Sequence, residues 1–383
     1  MSHRIYLDAN AGLPVRAEVL EEYLRIERAF GANPASLHRA GRGAQGVLEG
    51  ARSRVASALR CEDSEVVFTS GATEGCNIAL FGIVRGSAQI LGRKLRLVSS
   101  LAEHPAVVGP LRLLQLEGHH VDWLPLDAYA TTDLSAWPEQ VPDLIAMQWA
   151  NNETGAVQPL SQMLDLMPSN AVWFCDAVQG IGKLAWNDSL SDADSLVISG
   201  HKFGAPKGIG ALVLKNEVLF EAPIVGGGHQ GGRRPGTENP ALAAALALAL
   251  ELALQEQSSN QENWSRCRLA FLQELARAVP DVQFNHPTQG GLSNTISLTF
   301  PNLDGRLLLP TLDADGLEVS AGSACSSGSP TPSTVLLATG MTQPLANASI
   351  RVTLCPKMDA AVVKSAATRL ATAISRLYDV AKR

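Results

Sequence analysis

The 383-residue chain lacks several features that would decide its class at once. It has no apolar stretch long enough to cross a bilayer, which takes about 20 residues. The longest such run, Ala241 to Leu250, reads instead as a buried helix of Ala and Leu. No basic block stands out, and 31 basic against 37 acidic residues leave a net charge of −6, so nucleic acid is not an expected partner. None of the six cysteines (Cys61, Cys76, Cys175, Cys267, Cys325 and Cys355) forms a CxxC pair, which argues against zinc, and no metal is expected. The N-terminus, Met1-Ser2-His3-Arg4-Ile5-Tyr6, has no apolar signal core. With scattered cysteines, that predicts a cytoplasmic protein with free thiols and no membrane association. Internal repeats and low-complexity tracts are also absent.

What the chain does have is apolar mass. It is 46% hydrophobic and 18% charged, enough for a large core and two or three domains. Helical patterns from Arg16 to Glu27, Gly43 to Leu59, Ala106 to Glu117 and Leu160 to Leu166 alternate with short apolar strands. The strands run from Glu65 to Thr69, Leu95 to Ser99, Leu144 to Met147, Ala171 to Cys175 and Asp194 to Ile198. This alternation predicts an α/β domain with a mostly parallel sheet, whose ligands gather at the carboxyl ends of the strands. Beyond Gln255 the texture changes. A polar stretch from Gln257 to Glu262 leads to a helix from Trp264 to Val279, then a strand from Thr295 to Thr299. The reading is a large domain over 15–255 and a smaller α+β domain from 1–14 and 256–383.

Two strand ends carry the strongest chemistry. Ser199-Gly200-His201-Lys202 follows the strand ending at Ile198, and solubility explains poorly a lysine crowded there by Ser and His. The strand before it ends in Asp176-Ala177-Val178-Gln179. An acid and a lysine on one sheet edge are the pair that pyridoxal phosphate needs. The lysine holds its aldehyde as a Schiff base, and the carboxylate keeps the ring nitrogen protonated. A snorkelling surface lysine with an ordinary strand-end Asp is the plain alternative.

Other motifs carry less when taken singly. Thr69-Ser70-Gly71-Ala72-Thr73-Glu74 opens a helix after a strand, which suits a phosphate or a simple capping box at Ser70. In Glu103-His104-Pro105, His104 can stack on a ring and exchange protons, or simply cap a helix. Asn151-Asn152-Glu153-Thr154-Gly155 reads as a turn. The run Gly226 to Thr237, with Arg233 and Arg234, reads as a mobile phosphate-binding loop or a flexible linker. Cys325 sits among small residues, Gly322 to Ser329, where a structural cysteine has no apolar neighbours. It reads as an exposed, mobile thiol or an incidental loop residue.

Taken in order, these segments resemble the cysteine desulfurases of the NifS/IscS kind, in the class V aminotransferase group of pyridoxal-phosphate enzymes. The resemblance runs from Ile5-Tyr6-Leu7-Asp8 through SGATE, EH, NNETG, DAVQ, SGHK, GGRRPGTEN and GSAC to Ser349-Ile350-Arg351. It implies the type I fold of such transferases, with a seven-stranded, mostly parallel sheet. It implies that Lys202 is the Schiff-base lysine and moves the Cα proton, that Asp176 pairs with the ring nitrogen and that Gln179 bonds the ring hydroxyl. His104 would stack on the ring. Ala72, Thr73, Ser199 and His201 would hold the phosphate, with Thr237 reaching it from the partner of a homodimer. Arg351 and Asn152 would grip the carboxylate of L-cysteine, Asn152 also facing the cofactor, and Asn33 is a further substrate-binding residue. Cys325 would accept the sulfur as a persulfide and pass it to an acceptor protein, a scaffold or carrier, for iron–sulfur or other sulfur-containing cofactors. Selenocysteine lyase, another class V lyase and a non-catalytic member of the fold are the competing readings. The chain departs from the family pattern at Asn10-Ala11-Gly12-Leu13-Pro14, which lacks a threonine-rich turn. Gln230 stands where glutamate is frequent, and Cys355-Pro356-Lys357 replaces a glycine and a basic residue. Its C-terminus, shorter than in IscS-like members, implies weak docking to an IscU-like scaffold.

Overall fold

A computed structural model describes residues 4–321 and 332–381. Its strands in chain order are β1 (Ile5–Tyr6), β2 (Val66–Thr69), β3 (Arg96–Ser100), β4 (His120–Leu124), β5 (Leu144–Ala146) and β6 (Val172–Asp176). They continue with β7 (Ser195–Ser199), β8 (Gly210–Leu214), β9 (Gln283–Phe284), β10 (Thr295–Thr299), β11 (Leu317–Glu318) and β12 (Ser349–Thr353). Seven of them form one sheet in the order β2-β8-β7-β6-β5-β3-β4. All its neighbours run parallel except β8, which is antiparallel to both β2 and β7. This is the mostly parallel α/β sheet that the alternating pattern predicts.

The apolar runs are continuous because both faces are covered. Trp173 and Cys175 point to one core, against the helices Ala17–Ala29, Arg39–Leu59 and Pro240–Gln255. Phe174, between them, points to the other core, under the helices Ala72–Leu91 and Pro105–Leu116. The helix Pro240–Gln255 starts where Asn239 accepts the Leu242 N–H at 2.9 Å and Pro240 presets the first turn.

A third core joins the two ends of the chain. Ile5 and Leu7 lie in it with Phe271, Leu298, Ile350 and Leu370. Here β10 pairs antiparallel with β9 and β12, and β1 pairs parallel with β11. The polar stretch 257–262 is helical rather than a connector. It opens the helix Gln257–Ala278, in which Gln257, Asn260 and Trp264 are buried and which packs on Ala360–Ala381. Tertiary packing outweighs local polarity there.

Candidate active site

The parallel strands β6 and β7 end side by side, with Asp176 opposite Val197. Asp176 is the last residue of its strand, only 7% exposed, and its Oδ1 accepts the Val178 N–H at 3.0 Å. Burial pushes its carboxyl up to about 6, opposed by that N–H and by Lys202. Ser199 ends β7, and its Oγ meets His201 Nδ1 at 3.0 Å. Burial first, then Lys202 and Lys207, lowers His201 to about 4. The chain next turns through Gly200–Lys202, and Lys202 Nζ donates to the carbonyls of Asn10 at 2.7 Å and Ala11 at 3.0 Å.

Gly71 precedes the helix Ala72–Leu91 at φ +153, which favours glycine, and a Cβ there would come within 3.5 Å of Ser199 Oγ. The capping-box expectation at Ser70 is corrected in part. Gly71 is the cap residue, yet Glu74 reaches back to accept the Ser70 N–H. His104 caps the helix Pro105–Leu116, its Nδ1 accepting the Ala106 N–H at 3.1 Å. That bond places its ring proton on Nε2. Burial, then the charge of Lys202, lowers His104 to about 4, so the ring is neutral.

A second group closes on the same place. Arg351, on β12 and 2% exposed, donates Nη2–H to Asp8 Oδ1 at 2.6 Å and Nη1–H to the Asn152 carbonyl at 3.1 Å. Its Nε is one of two buried side-chain polar atoms without a partner among the described residues; the other is Glu103 Oε2. Burial raises the Glu103 carboxyl well above the usual range. Gln179 Nε2 donates to the Asn10 carbonyl at 3.2 Å.

Asn10 and Lys183 are the residues that the sequence reading misses. Asn10 is 1% exposed, and every polar group it has is bonded. Lys183 is 6% exposed and donates to Asn10 Oδ1 at 2.8 Å and to Gln179 Oε1. The signal was available: a lysine seven positions past a strand-end Asp is hard to place on a surface when Gly180, Ile181 and Gly182 precede it.

The remaining site residues are spread more widely. Ala72 and Thr73 form the first turn of the helix beside Ser199. Thr237 is exposed at the end of the glycine-rich loop. The two arginines of that loop are engaged rather than open to a phosphate: Arg233 binds the carbonyls of Ser64 and Leu214, and Arg234 pairs with Glu74 at 2.9 Å. Asn33 is exposed, and its Oδ1 accepts the Ala35 N–H within its own turn. Cys325 lies outside the described residues. Of the residues near it in sequence, Ser320 exchanges backbone hydrogen bonds with Arg351, at 2.7 and 3.2 Å, and Ser333 donates to buried Glu153. No helix among the described residues is long and apolar enough to cross a membrane.

The profile of the family "Aminotransferase class-V" matches residues 5–365. The chain is 36% identical to "Cysteine desulfurase IscS" of Dictyoglomus turgidum, over 92% of this chain and 90% of that one. It is 37% identical to "Cysteine desulfurase 2" of Trichormus variabilis, over 91% and 88%. Among solved structures, a "NIFS-LIKE PROTEIN" superposes with a TM-score of 0.88 at 30% identity, covering 98% of this chain and all of that one. The shared length, the sheet and the matched motifs together show that the chain belongs to the class V aminotransferase family, with the cysteine desulfurases as its relatives.

Proposed function

We propose that the chain is a pyridoxal-phosphate-dependent cysteine desulfurase that converts L-cysteine to L-alanine and receives the sulfur as a persulfide on Cys325. The observation that carries the reading is Lys202 and buried Asp176 at adjacent strand ends, in a chain similar to cysteine desulfurases over nine-tenths of its length. Residues 15–255 would bind the cofactor, and 1–14 with 256–383 would carry Arg351 and Cys325.

The residues fit the cofactor. Asp176 is a buried carboxylate with a raised pKa, so a cation such as a protonated ring nitrogen suits it. The space over Gly71, beside Ser199 Oγ and the opening turn of a helix, suits a phosphate. When bound, the cofactor supplies an electron sink for the charge left at Cα after proton loss.

The chain's residues do the rest. Lys202 would hold the cofactor through its aldehyde carbon and, once its amine is free, would take the Cα proton of the substrate. Asp176 keeps the ring nitrogen protonated, and Gln179 donates to the ring oxygen. Neutral His104 covers the ring face and can pass a proton through Nε2. Ser199, His201, Thr73 and the Ala72 N–H hold the phosphate, with Thr237 contributed by the second subunit of a homodimer. Arg351 holds the substrate carboxylate, with Nε as its open donor, alongside Asn152 and Asn33. Cys325, as thiolate, would bond to the substrate sulfur as the S–Cβ bond breaks, with that bond's electron pair staying on Cβ, which then takes a proton to become the methyl of alanine. The sulfur then passes to an acceptor protein, a scaffold or carrier, in the cytoplasm, for iron–sulfur clusters or other sulfur-containing cofactors.

The test is Cys325→Ser. It should still bind cysteine and change the absorbance of the bound cofactor, yet form no persulfide and almost no alanine. Alanine production at the wild-type rate would overturn the reading in favour of a lyase that needs no enzyme thiol.

A further inference from the structure

Lys183 has no part in the chemistry above, yet it lies at the centre of the site. It is 6% exposed, and burial, then Lys202 and Arg351, lowers its pKa well below the usual lysine value. Such a residue is costly to bury unless its donors are placed, and two of them are. One goes to Asn10 Oδ1 at 2.8 Å and one to Gln179 Oε1.

The second bond has a directional consequence. Lys183 Nζ donates in both bonds, so the atom of the Gln179 amide that faces it is the oxygen. The NH2 group is thereby turned the other way. One of its hydrogens goes to the Asn10 carbonyl, at 3.2 Å, leaving one for a ligand. That same carbonyl receives Lys202 at 2.7 Å. Asn10 is itself fixed by Thr353, Thr295 and Asn294, at 3.0, 2.9 and 3.0 Å, so the group cannot turn freely.

We propose that Lys183 is a positioning residue for the cofactor: held by Asn10 Oδ1, it fixes the Gln179 amide through Oε1 with its donor side toward the ring oxygen. The inference depends on the cofactor reading above. It assigns to a buried lysine outside every matched motif the task of setting the amide's orientation.

The experiment is a double-mutant cycle on cofactor affinity, read by titrating apoprotein with pyridoxal phosphate and following visible absorbance, with apoprotein melting measured in parallel. Lys183→Met and Gln179→Leu should each weaken binding about tenfold. The double variant should be no more than about twofold worse than either, because Lys183 acts through the Gln179 amide. A lysine that merely supports the fold would lower apoprotein melting and give losses that multiply, to about a hundredfold. Multiplied losses, or wild-type affinity in Lys183→Met, would overturn the proposal. Should Lys183→Met not fold, Asn10→Ala replaces it in the cycle: it removes the Oδ1 acceptor but keeps the backbone carbonyl for Lys202, and the same two patterns decide. Wild-type apoprotein that binds no pyridoxal phosphate would instead sink the cofactor reading, and this inference with it.

Discussion

On the proposed cofactor side of the site, Asp176, Gln179, Ser199, His201 and Lys202 all lie between positions 176 and 202, on two adjacent strand ends and the turns after them. On the proposed substrate side, Arg351 reaches Asp8 from 343 positions away and Asn152 from 199. One sheet register places the backbone of the first group, although the side chains of Gln179 and Lys202 also meet Asn10 from the N-terminal segment. The second exists only once both ends of the chain have closed into a common core. Closing the second group costs loop entropy that strand register does not ask of the first, and it needs both ends of the chain folded.

The largest effect expected is on the local side. Lys202→Ala should lose covalent cofactor and lower turnover at least about a thousandfold, while melting stays close to that of wild-type apoprotein. Turnover within tenfold of wild type would break the contrast, since the strand-end lysine would then be dispensable.

Next comes pH. The folded protein holds the Asp176 proton more tightly than an unfolded chain, about 6 against 3.8. That group's stabilisation is therefore fully present below about pH 4 and is lost as pH rises through about 6. The stability of wild-type apoprotein relative to Asp176→Asn should fall by roughly 3 kcal/mol between about pH 4 and pH 7. Added pyridoxal phosphate should recover it at the upper end. A difference that is flat with pH would show that Asp176 is not held in an apolar setting.

On the long-range side, Arg351→Lys should raise KM for cysteine about thirtyfold with a smaller change in kcat, because an ammonium cannot replace the guanidinium fork. An unchanged KM would place the substrate carboxylate elsewhere.

The smallest effect sharpens the comparison at the sheet's rim. Gln230 Oε1 accepts the Phe68 N–H at 2.6 Å, and its Nε2 donates to the Phe68 carbonyl at 2.9 Å. A glutamate can accept but not donate, which explains why an amide suits this position. Gln230→Glu should cost about 1 kcal/mol in denaturant unfolding. No loss would mean that the pair adds nothing to water's own bonds.

The same contrast governs what the sequence could tell. Strand ends such as Asp176 and Lys202 were legible because apolar runs stop there and polar chemistry begins at once. Asn10 was not, since an Asn between two Ala reads as any turn residue. Its seven bonds come from five separate segments. For Lys183 the only local mark is the Gly180-Ile181-Gly182 before it, and its side-chain partners, Asn10 and Gln179, cannot be read from that. The helical form of 257–262 is hidden for the same reason: Gln257 donates to the Lys183 carbonyl at 3.2 Å, and the helix it opens packs on Ala360–Ala381, far along the chain.

The Gln230 pair also bears on how the molecule behaves in a crowded solution. β2 is an outer strand of the seven-stranded sheet, apolar along Val66-Val67-Phe68, and open strand rims recruit foreign strands. A side-chain amide that mimics one rung of a neighbouring strand occupies the bonds such a recruit would need. Loosening the loop that carries Gln230 would therefore show first as self-association through β2, ahead of any change at the site.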